Sequence, residues 1–337
     1  MDLLGLLDDY VLLYLLERGG LACLVRAWHL NHRTKRLCSI EIRARLPSLK
    51  ALTNPPFNIS LTSSFGISGG PDLKRTHSCI TESDMVVFSL AVSRGALASL
   101  KQLHLERNQI GSDGMKAFSA ALYSGALSTL TTLYIDGNKI GDDGMKAFST
   151  ALSRGALASL KQLDLGENQI GDEGMEAFSI ALSSGSLTRL THLLLFDNQI
   201  GEEGMKAFSS ALSSGALQSL LGLSLCENQI GNEGMIAFAD AIKPTQEIPM
   251  VSLAYLTHFS LSGNQIGDSG IVAFADAISS GSLVSLTKLS LYGNQIDDEG
   301  LKHFSSALRS VSLWDTLIWL NLGGNRSSED FTWSILN

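Results

Sequence analysis

The chain has 337 residues, of which 45% are hydrophobic and 17% are charged, with 32 glycines and a formal net charge of −8. This composition excludes an intrinsically disordered chain and provides enough apolar residues for a large core. The charge is unevenly divided: residues 1–100 carry 11 basic and 8 acidic side chains, whereas residues 101–337 carry 14 and 25. We therefore expect two parts with different roles.

The apolar start of the chain lacks the pattern of a secretory signal. Asp2, Asp8 and Asp9 stand where a signal peptide has a basic lead and an unbroken apolar stretch. No window reaches the roughly 18 uncharged apolar residues of a membrane span. The four cysteines have no framework spacing and are expected to be reduced thiols. These features predict an intracellular protein, cytoplasmic or nuclear, with no membrane contact.

Residues 1–50 predict a small helical cap. The segments LDDYVLLYLLE and LACLVRAW predict two helices separated by Gly19 and Gly20. Together they resemble an F-box, the module that docks on the adaptor of a cullin ubiquitin ligase. The resemblance implies that adaptor-facing or core positions are Leu7, Leu12, Leu15, Leu16, Leu24, Val25 and Trp28. The alternative is a plain cap over the open apolar end of a repeat array.

A repeat dominates the rest of the chain. Residues 51–80 are expected to be a linker or a degenerate repeat, and residues 81–337 an array with units of about 30 residues. Asparagines recur at spacings of 30, 30, 30, 30, 36, 30 and 31 residues, at Asn108, Asn138, Asn168, Asn198, Asn228, Asn264, Asn294 and Asn325. The 36-residue spacing contains an insertion within Lys243 to Met250, which is expected to bulge at the surface.

Each unit predicts a short strand followed by a helix. Leu103 and Leu105 alternate with polar residues as in a half-buried strand, while Met115, Phe118 and Leu122 fall on one helix face. Stacked strands lie about 4.8 Å apart and helices are about 10 Å thick, so the helical side must be the longer one. The array is therefore expected to bend, with parallel strands on its concave face and helices on its convex face.

The pattern LxxLxLxxNxIGxxGxxxFxxAL, present from Leu100 to Leu122, resembles the ribonuclease-inhibitor-like class of leucine-rich repeats. The resemblance implies an α/β leucine-rich repeat solenoid shaped as a horseshoe arc. It also implies a ladder of buried asparagines that bond neighbouring backbones, and a strand face that binds a protein. The repeated glycines at the Gly114 position are expected where the chain turns tightly into each helix.

Partner-binding residues are sought among positions that vary between units and point out of the sheet. These candidates are His104, Glu106, Arg107, Tyr134, Asp136, Asp164, Glu167, Leu194, Phe196, Asp197, Cys226, Glu227, Tyr292 and Trp319. Five units place an acid just before the ladder asparagine, which predicts an acidic stripe along the first part of the concave face. Such a stripe would attract a protein partner with a basic surface, and exposed aromatic side chains would anchor it.

Other function classes are disfavoured. No nucleophile, base and oxyanion donors converge in the pattern, so we expect no enzyme, and no cofactor or metal site is predicted. Trp28 is the only aromatic residue within the basic segment 18–50, which disfavours nucleic acid. The alternatives to a protein-binding module are an F-box substrate receptor of a ubiquitin ligase and a GTPase-activating regulator of a small GTPase. Arg107 is the candidate residue for the latter.

Overall fold

The computed structural model describes residues 58–60, 80–93, 98, 100–244, 253–311 and 313–327. The predicted helical cap, with Leu7, Leu12, Leu15, Leu16 and Trp28, lies outside the described residues. Of the predicted insertion, only its first two residues are described, directly after a helix that ends at Ile242.

Nine short strands form one parallel sheet in chain order. Their bounds are β1 (Asn58–Ser60), β2 (Gln102–His104), β3 (Thr132–Tyr134), β4 (Gln162–Asp164), β5 (His192–Leu194), β6 (Gly222–Ser224), β7 (His258–Ser260), β8 (Lys288–Ser290) and β9 (Trp319–Asn321). Equivalent residues pair across neighbouring strands, as Leu103 does with Leu133. The first strand lies inside 51–80, so part of this segment carries a strand of the array.

A helix follows each of the first eight strands. The helices are α1 (Glu82–Ser93), α2 (Gly111–Leu122), α3 (Gly141–Ser153), α4 (Asp172–Ser183), α5 (Glu202–Ser213), α6 (Gly231–Ile242), α7 (Asp268–Ser279) and α8 (Asp298–Ser310), with a short α9 (Leu313–Thr316) before β9. Strands on one side and thicker helices on the other confirm the predicted solenoid, with the sheet on the concave face. No helix among these has the length and apolar character to cross a membrane.

The core lies between the sheet and the helices. A typical unit buries two apolar residues in and directly after its strand, together with the apolar helix face, as at Leu103, Leu105, Met115 and Phe118. The helix phenylalanines form a column along the array, and the rings of Phe274 and Phe304 are stacked at 6.2 Å between centroids. Because each helix packs on its neighbours, no single unit could bury these surfaces alone.

The glycines at the Gly114 position have a different cause from the predicted one. They lie inside the first helical turn, with no left-handed backbone. A Cβ on Gly144 would lie 2.6 Å from Ile140 Cγ2 and 3.1 Å from Met115 Cβ of the preceding unit. Glycine is therefore required at these positions because neighbouring helices pack closely, and not because the chain makes a tight turn. By contrast, Gly125 does adopt a left-handed φ of +77° just beyond the end of α2, as is typical of a glycine that follows a helix.

The repeated asparagines connect neighbouring units. Asn138 Nδ2 donates to the carbonyls of Leu105, Ile135 and Asp136 at 2.8, 2.9 and 3.0 Å. Asn168 Oδ1 accepts from the backbone N–H of Asn138 at 2.9 Å. The amide thus supplies donors and acceptors to buried loop backbone that would otherwise lack partners.

A second connection joins the start of one helix to the start of the next. Asp142 Oδ1 accepts from Gly171 N at 2.7 Å and from Gly174 N at 2.9 Å. Asp172 makes the same pair of bonds to the following unit, and Asn232 does so further along the array. Each of these helices is thus capped by a side chain one repeat upstream. This arrangement is called here the inter-unit cap.

The inter-unit cap correlates with backbone conformation. After Asp142 and Asp172, the capped glycines Gly171 and Gly201 have extended backbones with φ of −100° and −96°. Where Glu202 stands at the same position, Gly231 instead takes a left-handed φ of +62°. The side chain at this position in one unit therefore correlates with the backbone conformation of the glycine that precedes or begins the helix of the next unit.

Candidate functional site

The concave face is formed by the strand residues that flank each buried leucine. Each unit contributes the first and third strand residues and the residue two positions later, because side chains alternate along a strand. In the second unit these are Thr132, Tyr134 and Asp136. The next residue, which precedes the ladder asparagine, has a left-handed backbone in all eight units, with φ between 50° and 70°.

Four carboxylates collect on β2 to β4. This acidic cluster consists of Glu106, Asp136, Asp164 and Glu167. The pKa of Asp164 is raised to about 7, mainly by burial and in part by the charges of Asp136, Glu106 and Glu167, against the lowering effect of the hydrogen bond from Gly166 N. The pKa of Asp136 is also raised, first by burial and then by Glu106 and Glu167. The cluster therefore holds negative charges that repel one another.

Two basic groups border the acidic cluster. Arg107 Nη2 lies 3.7 Å from Glu167 Oε1; the arginine side chain is largely exposed, whereas that of Glu167 is partly buried. His104 Nδ1 lies 2.9 Å from Glu106 Oε1, and its ring meets Tyr134 edge-on at 4.9 Å between centroids. Tyr134 OH donates to Gln162 Oε1 at 2.9 Å. These contacts hold the rim of the cluster in place.

The predicted acidic stripe is divided into two rows. Glu106 and Asp136 lie in the row that follows each strand, and Asp136 is only 8% exposed. Glu167, Asp197 and Glu227 lie one position later, directly before the ladder asparagine. The residues at this position, which have a left-handed backbone in every unit from β2 to β9, are called here the left-handed row. The alternation of side chains continues past the last strand residue, so Asp136 lies on the concave face between the equivalent residues of the two neighbouring units. It is therefore more buried than an acid in a solvent-exposed stripe.

The centre of the face carries Leu194 and Phe196. Phe196 is half-buried and lies across Gly166 of the preceding unit, where an added Cβ would overlap its ring. The sequence predicted an exposed aromatic at this position. The ring is less exposed than predicted because the neighbouring glycine leaves room for it.

The face changes again towards its C-terminal end. Cys226 Sγ lies 2.7 Å from Ser260 Oγ, and Ser262 Oγ lies 2.7 Å from Ser290 Oγ, so uncharged thiol and hydroxyl groups line β6 to β8. Beyond them, Tyr292 and Trp319 are about half exposed, at 50% and 48%. The array thus presents an acidic end, an apolar centre at Leu194 and Phe196, an uncharged polar stretch and an aromatic end on one continuous sheet.

The candidate set missed the first residue of each strand from β2 to β8, although it included Trp319, the first residue of β9. His192 lies over Gly222, and His258 and Lys288 occupy the same row in β7 and β8. The pKa of His258 is lowered by partial burial, and then by the charges of Lys288 and His192. Strict alternation from Leu103 in both directions would have found this row. Ile318, which is 81% exposed beside Trp319, was missed because it precedes its strand.

Other features of the described residues do not converge on the concave face. No three His, Cys, Asp or Glu side chains within the described part of the chain are placed to hold a metal ion. A cavity of about 480 Å³ lies at the helix-starting loops, lined by polar residues that include Glu82, Gln109 and Lys139. It belongs to the rim of the solenoid and not to the sheet.

Comparison with known families matches the repeat directly. A leucine-rich repeat model matches residues 96–119, 126–149, 156–179, 186–209, 216–239, 252–275 and 282–305. The chain is a leucine-rich repeat solenoid. Leucine-rich repeats of this kind indicate a protein–protein interaction module.

One similar solved structure is the crystal structure of the APL1 leucine-rich repeat domain. It is 12% identical, with a TM-score of 0.39, over 71% of this leucine-rich repeat chain and 53% of the APL1 chain. The chain thus spans about half the length of that relative. No curated protein sequence matches it.

Proposed function

We propose that the concave face binds a protein partner with a basic surface, which meets the acidic end of the face first and the aromatic side chains beyond it. The side chains that fill the core repeat from unit to unit, whereas those on the concave face differ. His104, Tyr134, Asp164 and Leu194 occupy one equivalent position in four successive strands. A scaffold needs only the repeated residues, so the variable ones are available for recognition.

The left-handed row carries this proposal. Gly137, Gly263, Gly293 and Gly324 occupy it in four units, which indicates that the fold accepts glycine there. Arg107, Glu167, Asp197 and Glu227 hold the same conformation in the other four units. A residue with a side chain costs roughly 1 kcal/mol more than glycine in this region. Charged residues kept where glycine is easier are best explained by what their side chains contact outside the fold.

Site-specific photo-crosslinking of the full chain tests the proposal. A photoreactive amino acid replaces Tyr292 on the concave face or Ile180, which is 63% exposed on the convex helix α4. The proposal predicts one protein partner crosslinked from the Tyr292 position, and no such product from the Ile180 position. The same product from the convex position alone would contradict it.

A glycine variant separates binding from folding. E167G/D197G/E227G introduces the residue that the other units carry in the left-handed row. Stability is therefore expected to be kept or raised. Binding of the crosslinked partner is expected to weaken, because three charges leave the concave face. Unchanged affinity would remove these residues from the interface.

Two finer readings are tested in the same capture. The F-box-like residues lie outside the described part of the chain, and their adaptor would be captured equally by the glycine variant, because that docking would use residues 1–50. The variants L12A and W28A would abolish such capture. The GTPase-activating alternative would use Arg107, which is largely exposed and 3.7 Å from Glu167; it predicts stimulated GTP hydrolysis of a captured small GTPase that the variant R107A abolishes. We also infer the ribonuclease-inhibitor-like class, which is supported by the helix of 12 or 13 residues in each unit from α1 to α8.

A further inference from the structure

The acidic cluster contains a carboxylate oxygen that the fold does not satisfy. Glu106 Oε2 is buried and accepts no hydrogen bond from any described residue. Asp136 beside it is 8% exposed, and burial raises the pKa of its carboxyl. Buried carboxylates usually accept several hydrogen bonds, because an unmet acceptor loses its hydration without compensation.

The neighbouring basic groups do not reach Glu106 Oε2. Arg107 approaches Glu167, and its charge lowers the raised pKa of Asp136, while His104 contacts the other oxygen of Glu106, Oε1. The hydroxyl of Tyr134 donates to Gln162. Glu106 Oε2 thus keeps no partner among the described residues, and it lies beside the nearly buried Asp136, since these residues occupy equivalent positions in adjacent units.

The unit next to Asp136 has no side chain at the equivalent position, and an aromatic ring from the following unit fills the room. Gly166 occupies the equivalent position in that unit and has no side chain. Its carbonyl accepts the N–H of Gly137, the residue after Asp136, at 2.9 Å, so the two positions are adjacent. The ring of Phe196 covers Gly166. An aromatic face beside unneutralised carboxylates suits a cation that has an apolar stem.

We propose that Glu106, Asp136 and Asp164 form a socket for one arginine or lysine side chain of the protein partner, with Phe196 packed against the stem of that side chain. This inference rests on the proposed function, and it identifies which chemical group of the partner the concave face recognises. A guanidinium or ammonium group donates several charge-assisted hydrogen bonds, which the unmet Glu106 oxygen lacks. The described residues of the cluster do not form a metal site, so a side-chain cation fits better than a metal ion.

Binding of a hexa-arginine peptide to the full chain tests the socket, with hexa-citrulline as the uncharged probe of similar shape. The variant E106Q/D136N removes two charges from the socket. Its matched control, D197N/E227Q, removes two exposed charges from the same face and leaves the same net charge. Isothermal titration at low salt is expected to show affinity for hexa-arginine weakened about tenfold or more by E106Q/D136N and only slightly by the control. Equal losses in both variants, or none in either, would overturn the socket.

A measurement on the unmodified chain guards against a variant that fails to fold. The carbon-13 resonances of the Asp136 and Asp164 side-chain carboxyls are expected to shift on addition of hexa-arginine and to stay in place with hexa-citrulline. No shift at saturating hexa-arginine would overturn the socket. Failure of the socket with a persistent crosslink from Tyr292 would leave the proposed binding face intact. Selective hexa-arginine binding without that crosslink would instead refute the proposed face.

Discussion

The inter-unit cap leads to a sharp prediction at Asp172. The variant D172A removes a carboxylate that accepts two backbone N–H groups of the next unit, Gly201 N at 2.7 Å and Gly204 N at 2.9 Å. Glu202 occupies the equivalent position one unit later. No hydrogen bond joins its side chain to the next helix among the described residues, so E202A is a matched control.

The expected magnitudes differ because only one of the two residues caps a helix. Loss of a capping side chain costs about 1 to 2 kcal/mol. Both variants also remove an acid from the first turn of their own helix, which contributes roughly 0.3 to 1 kcal/mol through the helix dipole. The free energy of unfolding is therefore expected to fall by about 2 kcal/mol in D172A and by roughly 0.5 kcal/mol in E202A.

Two measurements check this difference. Urea unfolding followed by circular dichroism reports the change in the free energy of unfolding. Amide hydrogen exchange reports the local change, and Gly204 N is expected to lose protection in D172A only. Equal destabilisation by D172A and E202A, with Gly204 N still protected, would refute capping from the preceding unit.

Three further predictions concern the scaffold and the acidic cluster. Because Gly231 is left-handed beside Glu202, G231A is expected to cost about 1 kcal/mol, and less in an E202D background that can form the inter-unit cap, as a double-mutant cycle in urea would measure; additive effects would contradict the coupling. N168A is expected to destabilise by about 3 kcal/mol, since it orphans buried backbone groups, and N325A, at the more exposed end of the ladder, by less in thermal unfolding; equal costs would contradict the account. The Asp164 carboxyl has a pKa of about 7 in the fold against an ordinary 3.8, so the folded state binds this proton more tightly than the unfolded state. Stability should therefore decline as pH rises from about 4 to 7, by at most about 4 kcal/mol from this group, and D164N should flatten that decline in unfolding measured across pH; an unchanged slope would refute the assignment.

The fold was largely predictable because its signals are periodic. The spacing of Met115 and Phe118 defines a helix face, the alternation of Leu103 and Leu105 defines a strand, and recurrence every 30 residues defines the stack. The strand and helix signals are local to one unit, and the stack is visible as soon as the units are compared along the chain. The structure places each of these residues in the core.

The site was predictable only in part, because its details depend on the neighbouring unit. Asp136 is buried and Phe196 is half-buried as a result of what lies beside them, above all Gly166, and reading one unit at a time does not reveal that contact. The cause of the helix glycines was misassigned for the same reason, since Gly144 meets Met115 of another unit. The acids fall into two rows because Glu106 stands two residues before Asn108, whereas Glu167 directly precedes Asn168, and the predicted single stripe overlooked that offset.

Charge reversal on the concave face tests the central claim most directly. The variant E167K/D197K/E227K is compared with E173K/E203K/E233K, which makes the same change in net charge on exposed helix positions of the convex side. Affinity for the crosslinked partner is measured against salt concentration. Only the concave variant is expected to weaken binding strongly and to reduce its salt dependence, because local charge at the contact governs both. An equal effect of the two variants, or none from the concave one, would contradict recognition by the concave face.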